Sequence, residues 1–204
     1  MTTFQDIKNK EIIIGNLPKM ISDLLHEREI YLTTFTFKNS SFEPSKADLR
    51  NYFTAFFQNI NTNSMNRKNL NSHKKCMLIA FPEISFKKSI KNKTASIHFH
   101  GFLMIHKDNN ERLLSRAVEK TTLEYDERLE KEVCVLHLKS KIINCLRSNN
   151  KSDFQTPLKL QSYSIDVRHL TGQSDIERAA YYMTKKFRYN FTYDDIQIYC
   201  NMKK

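Results

Sequence analysis

The sequence predicts an α+β protein in which helices cover a largely antiparallel sheet. Three observations predict this class. Some segments have the alternation of strands, other segments carry apolar residues at helical spacing, and the 14 Phe and 9 Tyr are spread along all 204 residues. Because there are only three Gly and four Pro, long flexible linkers are not expected. We therefore expect one folded domain over residues 1–204, with a core at about residues 29–190.

The N-terminal part predicts a helix, a strand and a second helix. Residues 16–26 carry an apolar stripe typical of a short helix, and we treat this helix as an appendage of the core. Residues 29–38 are dominated by β-branched and aromatic residues, which favour a strand. After Pro44, five apolar residues recur at helical spacing: Leu49, Phe53, Phe56, Phe57 and Ile60. The polar residues 61–75 predict a loop.

A hairpin is predicted next. Residues 76–81 have strand character and are expected to end at Pro82, and residues 96–106 form the returning strand. The basic segment between them gives the hairpin a long tip. Four further elements follow: a helix over residues 109–120, a helix over 131–146 in which 133–138 could instead be a strand, a strand over 158–170, and a helix over 174–189. The tail, residues 191–204, is a second appendage in which residues 192–204 are expected to hold one more short helix.

The charge of the chain suits a polyanionic partner. Lys and Arg outnumber Asp and Glu by 33 to 22, which gives a formal charge of +11. The four Cys have neither CxxC nor zinc-like spacing and are expected to be reduced thiols. No apolar run is as long as a membrane span, and the first residues contain no apolar core of a signal peptide. We expect a cytoplasmic protein.

A pair of histidines is the first candidate site. His98 and His100 are one residue apart in a predicted strand, so both imidazoles point to the same face. Two imidazoles with a carboxylate can bind a divalent metal ion and leave positions open for substrate oxygen. Glu83 is the expected carboxylate, and Glu43 and Asp166 are the alternatives. In a chain with seven His such a pair can arise by chance, and two partly buried His bonded to backbone are the competing interpretation.

A tyrosine and a lysine form the second candidate site. Tyr182 and Lys185 are three residues apart on a predicted helix, so they lie on one side of it and could converge on one phosphate. Tyr182 is the candidate nucleophile for attack on that phosphate. Tyr181 is the alternative nucleophile, because helical periodicity does not separate the two tyrosines. With nine Tyr in the chain this spacing alone has little weight, and a helix with solvated Lys residues is the competing interpretation.

The order of three motifs resembles the rolling-circle replication initiators of the HUH endonuclease superfamily. Leu32 to Phe37 (LTTFTF) is similar to their first, strand-forming motif. His98-Phe99-His100 is similar to the His-hydrophobic-His motif, and Tyr182 to Lys185 is similar to the YxxK motif. The resemblance covers residues 30–190. The three motifs in this order, each on the expected element, are far more specific than any one of them.

The resemblance implies a fold, a reaction and partners. The fold would be an RRM-like, ferredoxin-like sheet of about five antiparallel strands with the histidines on a central strand. The reaction would be Mg²⁺- or Mn²⁺-dependent attack of Tyr182 on single-stranded DNA or an origin hairpin, leaving a 5′-phosphotyrosine and a free 3′-OH. No GxxxxGK[ST] motif is present, so we expect no helicase domain, and the resemblance implies a host helicase and polymerase.

DNA contacts and alternative functions complete the expectations. Six residues are predicted to contact DNA, namely Lys87, Lys88, Lys91 and Lys93 of the basic tip and Thr34 and Thr36 of the first motif. For the tip, a solvated loop is the competing interpretation. One alternative function is a single-strand DNA transposase of the same superfamily. The other is a non-catalytic RRM-like module, in which Tyr31, Phe35 and Phe37 would stack on bases.

Overall fold

The computed structural model describes residues 15–36, 46–65, 73–88, 93–143, 164–187 and 196–199. In these residues, seven strands form one antiparallel sheet. The strands are β1 (Arg28–Thr36), β2 (Met77–Lys88), β3 (Lys93–His106), β4 (Val118–Asp126), β5 (Lys131–Leu138), β6 (Ser164–Leu170) and β7 (Gln197–Tyr199). Their order across the sheet is β4-β5-β6-β1-β3-β2-β7. The predicted α+β class is confirmed, although the sheet has seven strands where about five were expected.

Five helices occur in the described residues. They are α1 (residues 15–22), α2 (Lys46–Ser64), α3 (Lys107–Ala117), α4 (Ser140–Ile143) and α5 (Gln173–Phe187). The first helix ends four residues earlier than predicted, because residues 23–27 form turns. The second continues three residues past Asn61, where a loop was expected to begin. No helix in these ranges has both the length and the apolar character needed to cross a membrane.

Different helices cover the two faces of the sheet. On one face, the rings of Phe35 and Phe99 pack edge to face against Phe53 of α2, with both centroid distances 4.9 Å. On the other face, Leu32 and Phe102 belong to a separate core cluster with apolar residues of α1 and α5. The alternation of β1 and β3 produces this division, because successive side chains point to opposite faces. The apolar residues of the second face give way to Thr34 and His100 toward one end of β1 and β3.

The hairpin of β2 and β3 is longer than the sequence predicts. Strand β2 does not end at Pro82 but continues to Lys88, which pairs with Lys93. Proline is tolerated at this point because β7 pairs with β2 only from Leu78 to Ala80, so the described sheet has an edge at Pro82. The longer pairing places Glu83 directly opposite His98.

Gly101 allows a close approach of β2 and β3 beside the histidines. A Cβ at this position would overlap the carbonyl oxygen of Ile79 and lie 2.9 Å from the Cα of Ala80. Both obstacles are backbone atoms, which cannot move aside as a flexible side chain would. Glycine therefore fits the space next to His100 where any larger residue would push the strands apart.

The region from 118 to 138 differs most from the prediction. The helix predicted over 131–146 is wrong for Lys131–Leu138, which form β5, and the alternative of a strand over 133–138 is confirmed. Strand β4 was not predicted, and the helix before it ends at Ala117 rather than at residue 120. The reason is that β4 is an edge strand with Leu123 and Tyr125 exposed, so it lacks the buried alternation by which strands are detected.

The last elements agree with the prediction in part. The strand predicted over 158–170 is confirmed for Ser164–Leu170, and the helix predicted over 174–189 is confirmed as α5. A helix in the C-terminal tail is wrong for residues 197–199, which form β7 because they pair with β2. The other predicted positions at residues 37–38, 144–146, 158–163 and 188–189, and those of the tail outside 196–199, lie outside the described residues.

Candidate active site

The two histidines lie on the central part of the sheet. Strand β3 is flanked by β1 and β2, and both imidazoles point to the face covered by α1 and α5. His100 is 7% exposed and His98 is half-buried. Phe99 points to the opposite face and is buried in the other core cluster. The sequence prediction that the two imidazoles share one face is therefore confirmed.

Two threonine hydroxyls hold the histidine rings. Thr34 lies opposite His100 and Thr36 lies opposite His98 in the pairing of β1 with β3. The Oγ1 atom of Thr34 is 3.0 Å from Nδ1 of His100, and that of Thr36 is 3.2 Å from Nδ1 of His98. Each hydroxyl fixes its ring through Nδ1, so the Nε2 edge of each ring faces away from β1. Orientation of a ring through its other nitrogen is typical of metal-binding histidines.

Glu83 reaches the site from the opposite side. Its Oε2 atom lies 3.0 Å from Nε2 of His100, and the Glu83 side chain is as deeply buried as the imidazole. At this distance a protonated Nε2 of His100 donates a hydrogen bond to the carboxylate, and a cation between the two groups would take the place of that proton. Two ligands about 2.1 Å from one metal ion and at right angles to each other would be about 3.0 Å apart. His100 and Glu83 therefore fit a divalent cation as two of its ligands.

The third ligand is not brought into the same group. Within the described ranges, no three His, Cys, Asp or Glu side chains are close enough together to hold a metal ion. His98 lies on the same face, and Nδ1 of its ring lies against Oγ1 of Thr36. Of the alternative carboxylates, Glu43 lies outside the described residues. Asp166 lies opposite Thr34 in β6, and its Oδ2 atom accepts a hydrogen bond of 2.7 Å from Nε of Arg168.

Tyr182 contacts His100. The tyrosine lies on α5, whose residues Ile176, Ala179, Ala180 and Met183 are buried against the sheet. This docking brings the Tyr182 ring against the His100 ring, edge to face, with a centroid distance of 5.3 Å and an interplanar angle of 84°. The nucleophile candidate and one metal-ligand candidate, from separate motifs, are thus in contact.

Tyr181 and Lys185 lie on the outer side of the same helix. Tyr181 is 67% exposed, and Nζ of Lys185 is 5.9 Å from the centroid of its ring. Lys185 is itself exposed. The structure therefore separates the two tyrosines, which helical periodicity could not do. It places Lys185 beside Tyr181, whereas the Tyr182 ring lies against the sheet.

Arg128 is a site residue that the sequence analysis missed. It lies in the turn between β4 and β5, and its guanidinium carbon is 5.6 Å from the centroid of the Tyr182 ring. Its NH1 atom donates a hydrogen bond of 3.4 Å to Oγ1 of Thr34, which also contacts His100. A signal was hard to find in the sequence because β4, the strand before the turn, was not predicted and β5, the strand after it, was only an alternative.

A carboxylate holds the Arg128 guanidinium in its charged form. Burial alone would lower the pKa of Arg128, but hydrogen bonds and the charge of Asp126 outweigh it and raise the pKa above its ordinary value. Burial likewise would raise the pKa of Asp126, but Arg128 and Arg168 keep it below its usual range. The Asp126 side chain is almost fully buried between these cations. An arginine with a fixed position and a permanent charge therefore borders the Tyr182 ring.

The predicted DNA-contacting residues are divided between two places. Thr34 and Thr36 line the histidines, where their hydroxyls contact the rings. In the basic tip, Lys87 and Lys88 lie in β2 and Lys93 lies in β3, and Lys91 lies outside the described residues. Lys88 pairs directly with Lys93 at the end of the described hairpin.

The fold and the site define an α+β protein with a histidine, a glutamate and a tyrosine gathered at one end of a sheet face. Comparisons with models of protein families, with curated proteins and with solved structures found no significant match to this chain. The resemblance to rolling-circle initiators therefore rests on three motifs.

Proposed function

We propose that this protein is a metal-dependent, tyrosine-nucleophile endonuclease that nicks single-stranded DNA at a replication origin and starts rolling-circle replication. The observation that carries the proposal is the contact of the Tyr182 ring with the His100 ring. The Nε2 atom of His100 in turn lies 3.0 Å from Oε2 of Glu83. A nucleophile next to two metal-ligand candidates is the arrangement that this chemistry needs. The proposed setting is the cytoplasm, with a host helicase and polymerase as partners.

The proposed step is a transesterification. The phenol oxygen of Tyr182 forms a bond to the phosphorus, and the bond between phosphorus and the 3′-oxygen breaks. The phenolic proton passes to water, and the 3′-oxygen takes up a proton to become a 3′-OH. The product is a 5′-phosphotyrosine, and because one phosphodiester replaces another, the strand can be rejoined without ATP.

The other residues support this step in different ways. A divalent cation, Mg²⁺ or Mn²⁺, held by His100 and Glu83 with His98 as the proposed third ligand, would polarise the scissile phosphodiester. Lys185 would stabilise negative charge on the phosphate from the exposed side of α5, where its ammonium group lies beside the Tyr181 ring. Thr34 and Thr36 would keep the imidazole rings in one orientation.

One alternative, a non-catalytic RRM-like module, loses support from burial. Tyr31 and Phe35, two of the three aromatic residues expected to stack on bases, are buried in the core. Phe37 lies outside the described residues. Base stacking needs exposed rings, so this interpretation would have to use other aromatic residues.

The test uses single-stranded oligonucleotides with a randomised central segment, incubated with the protein and Mn²⁺. One set carries a label at the 3′ end and the other at the 5′ end. A 5′-phosphotyrosine retains the 3′ part of the strand, so only the 3′-labelled set should give labelled protein that survives denaturing electrophoresis. The 5′-labelled set should give shorter free DNA. If neither set gives a covalent adduct with Mg²⁺ or Mn²⁺, the enzymatic proposal is wrong and the binding module becomes the better interpretation.

A further inference from the structure

The turn between β4 and β5 carries a cation into the candidate site. Residues 127–130 join the two strands, and Glu130 adopts a positive φ of 55°, as residues in tight turns do. The turn presents Arg128, whose side chain is 19% exposed, to the ring of Tyr182. No motif identified in the sequence includes this arginine.

Arg128 is held so that it cannot easily move. Asp126 accepts three hydrogen bonds from it, from the backbone nitrogen at 2.8 Å, from Nε at 3.0 Å and from NH2 at 2.6 Å. Thr34, which is 94 residues away in the sequence, accepts a fourth from NH1. A planar guanidinium with bonds on several of its nitrogens has one orientation, which a lysine ammonium would not share.

The fixed guanidinium and the His100 imidazole both lie against the Tyr182 ring. One contact is a cation over an aromatic face and the other is an edge-to-face ring contact. The same arginine also touches Thr34, the hydroxyl that orients His100 through Nδ1. Arg128 thus contacts the nucleophile candidate directly and the metal-ligand candidate through one intermediate residue.

We infer that Arg128 is a positioning residue of this site, which keeps the Tyr182 ring in place and supports the orientation of His100. The inference rests on the proposed function, because it names a part of the same active site. The consequence would be greater for the rate than for DNA binding, since a displacement of about 1 Å from the reacting geometry can lower a rate about 100-fold.

The kinetic test compares Arg128→Met and Arg128→Lys with Arg178→Met. Arg178 is the matched control, because it donates hydrogen bonds to Leu129 and Glu130 of the same turn and is exposed. We expect Arg128→Met to lower the rate of adduct formation at saturating DNA by about 10- to 100-fold, with the half-saturating DNA concentration changed less than about twofold. Arg128→Lys should recover part of the rate, since it keeps the charge but loses the planar fork, and Arg178→Met should act as wild type. A wild-type rate for Arg128→Met would overturn the inference.

A second measurement does not depend on nicking. In protein labelled with 3-fluorotyrosine, the ¹⁹F resonance of Tyr182 is identified by its loss in Tyr182→Phe, and that of the exposed Tyr125 serves as the reference. Arg128→Met should shift or broaden the Tyr182 resonance and leave that of Tyr125 unchanged. If the Tyr182 resonance does not change, the inference is wrong. If it changes but wild-type protein forms no adduct, the positioning contact holds and the proposed function fails.

Discussion

The rings of Tyr182 and His100 meet edge to face at 5.3 Å, although the two residues belong to different motifs. One residue lies on helix α5 and the other on strand β3, and the packing of α5 on the sheet brings them together. This contact joins the motif expected to supply the nucleophile to the motif expected to bind the metal. Each motif alone could have arisen by chance, and their contact in the fold is an independent observation.

The contact predicts which tyrosine becomes attached to DNA. Tyr182→Phe removes one oxygen and keeps the ring that packs on His100, so stability and DNA affinity should stay near those of wild type. The covalent adduct should nevertheless disappear. Tyr181→Phe is the matched control, because it makes the same change on the exposed neighbour, and it should form the adduct normally. Mass spectrometry of the wild-type adduct checks the assignment, which is wrong if the nucleotide is found on Tyr181.

The metal site can be tested by Mn²⁺ titration and by nicking. His98→Ala and His100→Ala should abolish Mn²⁺-dependent nicking while the fold and DNA affinity remain, and Glu83→Ala should cause a similar but weaker loss. Thr34→Val, which removes the hydroxyl beside His100, should weaken Mn²⁺ binding by about tenfold.

The control for the metal site is a second histidine–glutamate pair. His169 Nε2 lies 2.7 Å from Oε2 of Glu29, on the opposite face of the sheet. His169→Ala should therefore leave Mn²⁺ binding unchanged. Full activity in Glu83→Ala would direct attention to Asp166 or Glu43, and nicking at the wild-type rate in both histidine variants would exclude this metal site.

The basic tip of the hairpin is predicted to contact DNA phosphates. Replacement of all four lysines, Lys87, Lys88, Lys91 and Lys93, with Gln should lower the affinity for single-stranded DNA and reduce the slope of log K against log salt. Each lost phosphate contact should change that slope by about 0.7 for a single strand. A matched variant with Lys19, Lys107, Lys120 and Lys141 changed to Gln removes the same number of exposed charges elsewhere. An equal change of slope in both variants would show that net charge, not this hairpin, is responsible.

Strong periodicity made most of the fold predictable. The apolar spacing of α2 and α5 and the alternation of β1 and β3 are visible in the sequence because each buries a regular set of side chains. The pair β4 and β5 was harder, since Leu123 and Tyr125 of the edge strand are exposed. Because most side chains of this edge strand are exposed, including apolar ones, their order in the sequence gives no signal of burial.

The site was predictable where its residues share an element and not where the fold joins distant ones. The common face of His98 and His100 follows from adjacent positions in one strand. The contact of Glu83 with His100 depends on the register of the hairpin and on the continuation of β2 past Pro82. The sequence analysis expected this strand to end at Pro82. Arg128 reaches the site from a turn between two strands of which one was not predicted, so no local pattern indicated it.

The ion pair beneath Arg128 predicts a pH dependence of stability. The pKa of Asp126 is lowered in the folded protein, because the effect of Arg128 and Arg168 exceeds that of burial. A group whose pKa is lowered on folding stabilises the protein at pH values above its unfolded pKa of about 3.9. That contribution is lost as the pH falls through the lower, folded value. Asp175, whose pKa is also lowered through Lys131 and Thr171, acts in the same direction.

Asp126→Asn should therefore destabilise the protein at neutral pH and have less effect in acid. We expect its free energy of unfolding to be about 1–3 kcal/mol below that of wild type at pH 7, since charged hydrogen bonds to a buried carboxylate are lost. Below about pH 4 the difference between the two proteins should begin to narrow, and it should be lost as the pH falls through the lowered pKa of folded Asp126. Urea unfolding measured from pH 7 to pH 3 checks this expectation.

The control is Asp108→Asn, since Asp108 pairs with Lys74 at the surface and its replacement should leave the unfolding curve near that of wild type. A difference for Asp126→Asn that stays constant from pH 7 to pH 3 would show that lost packing, and not the charged pair, causes the destabilisation.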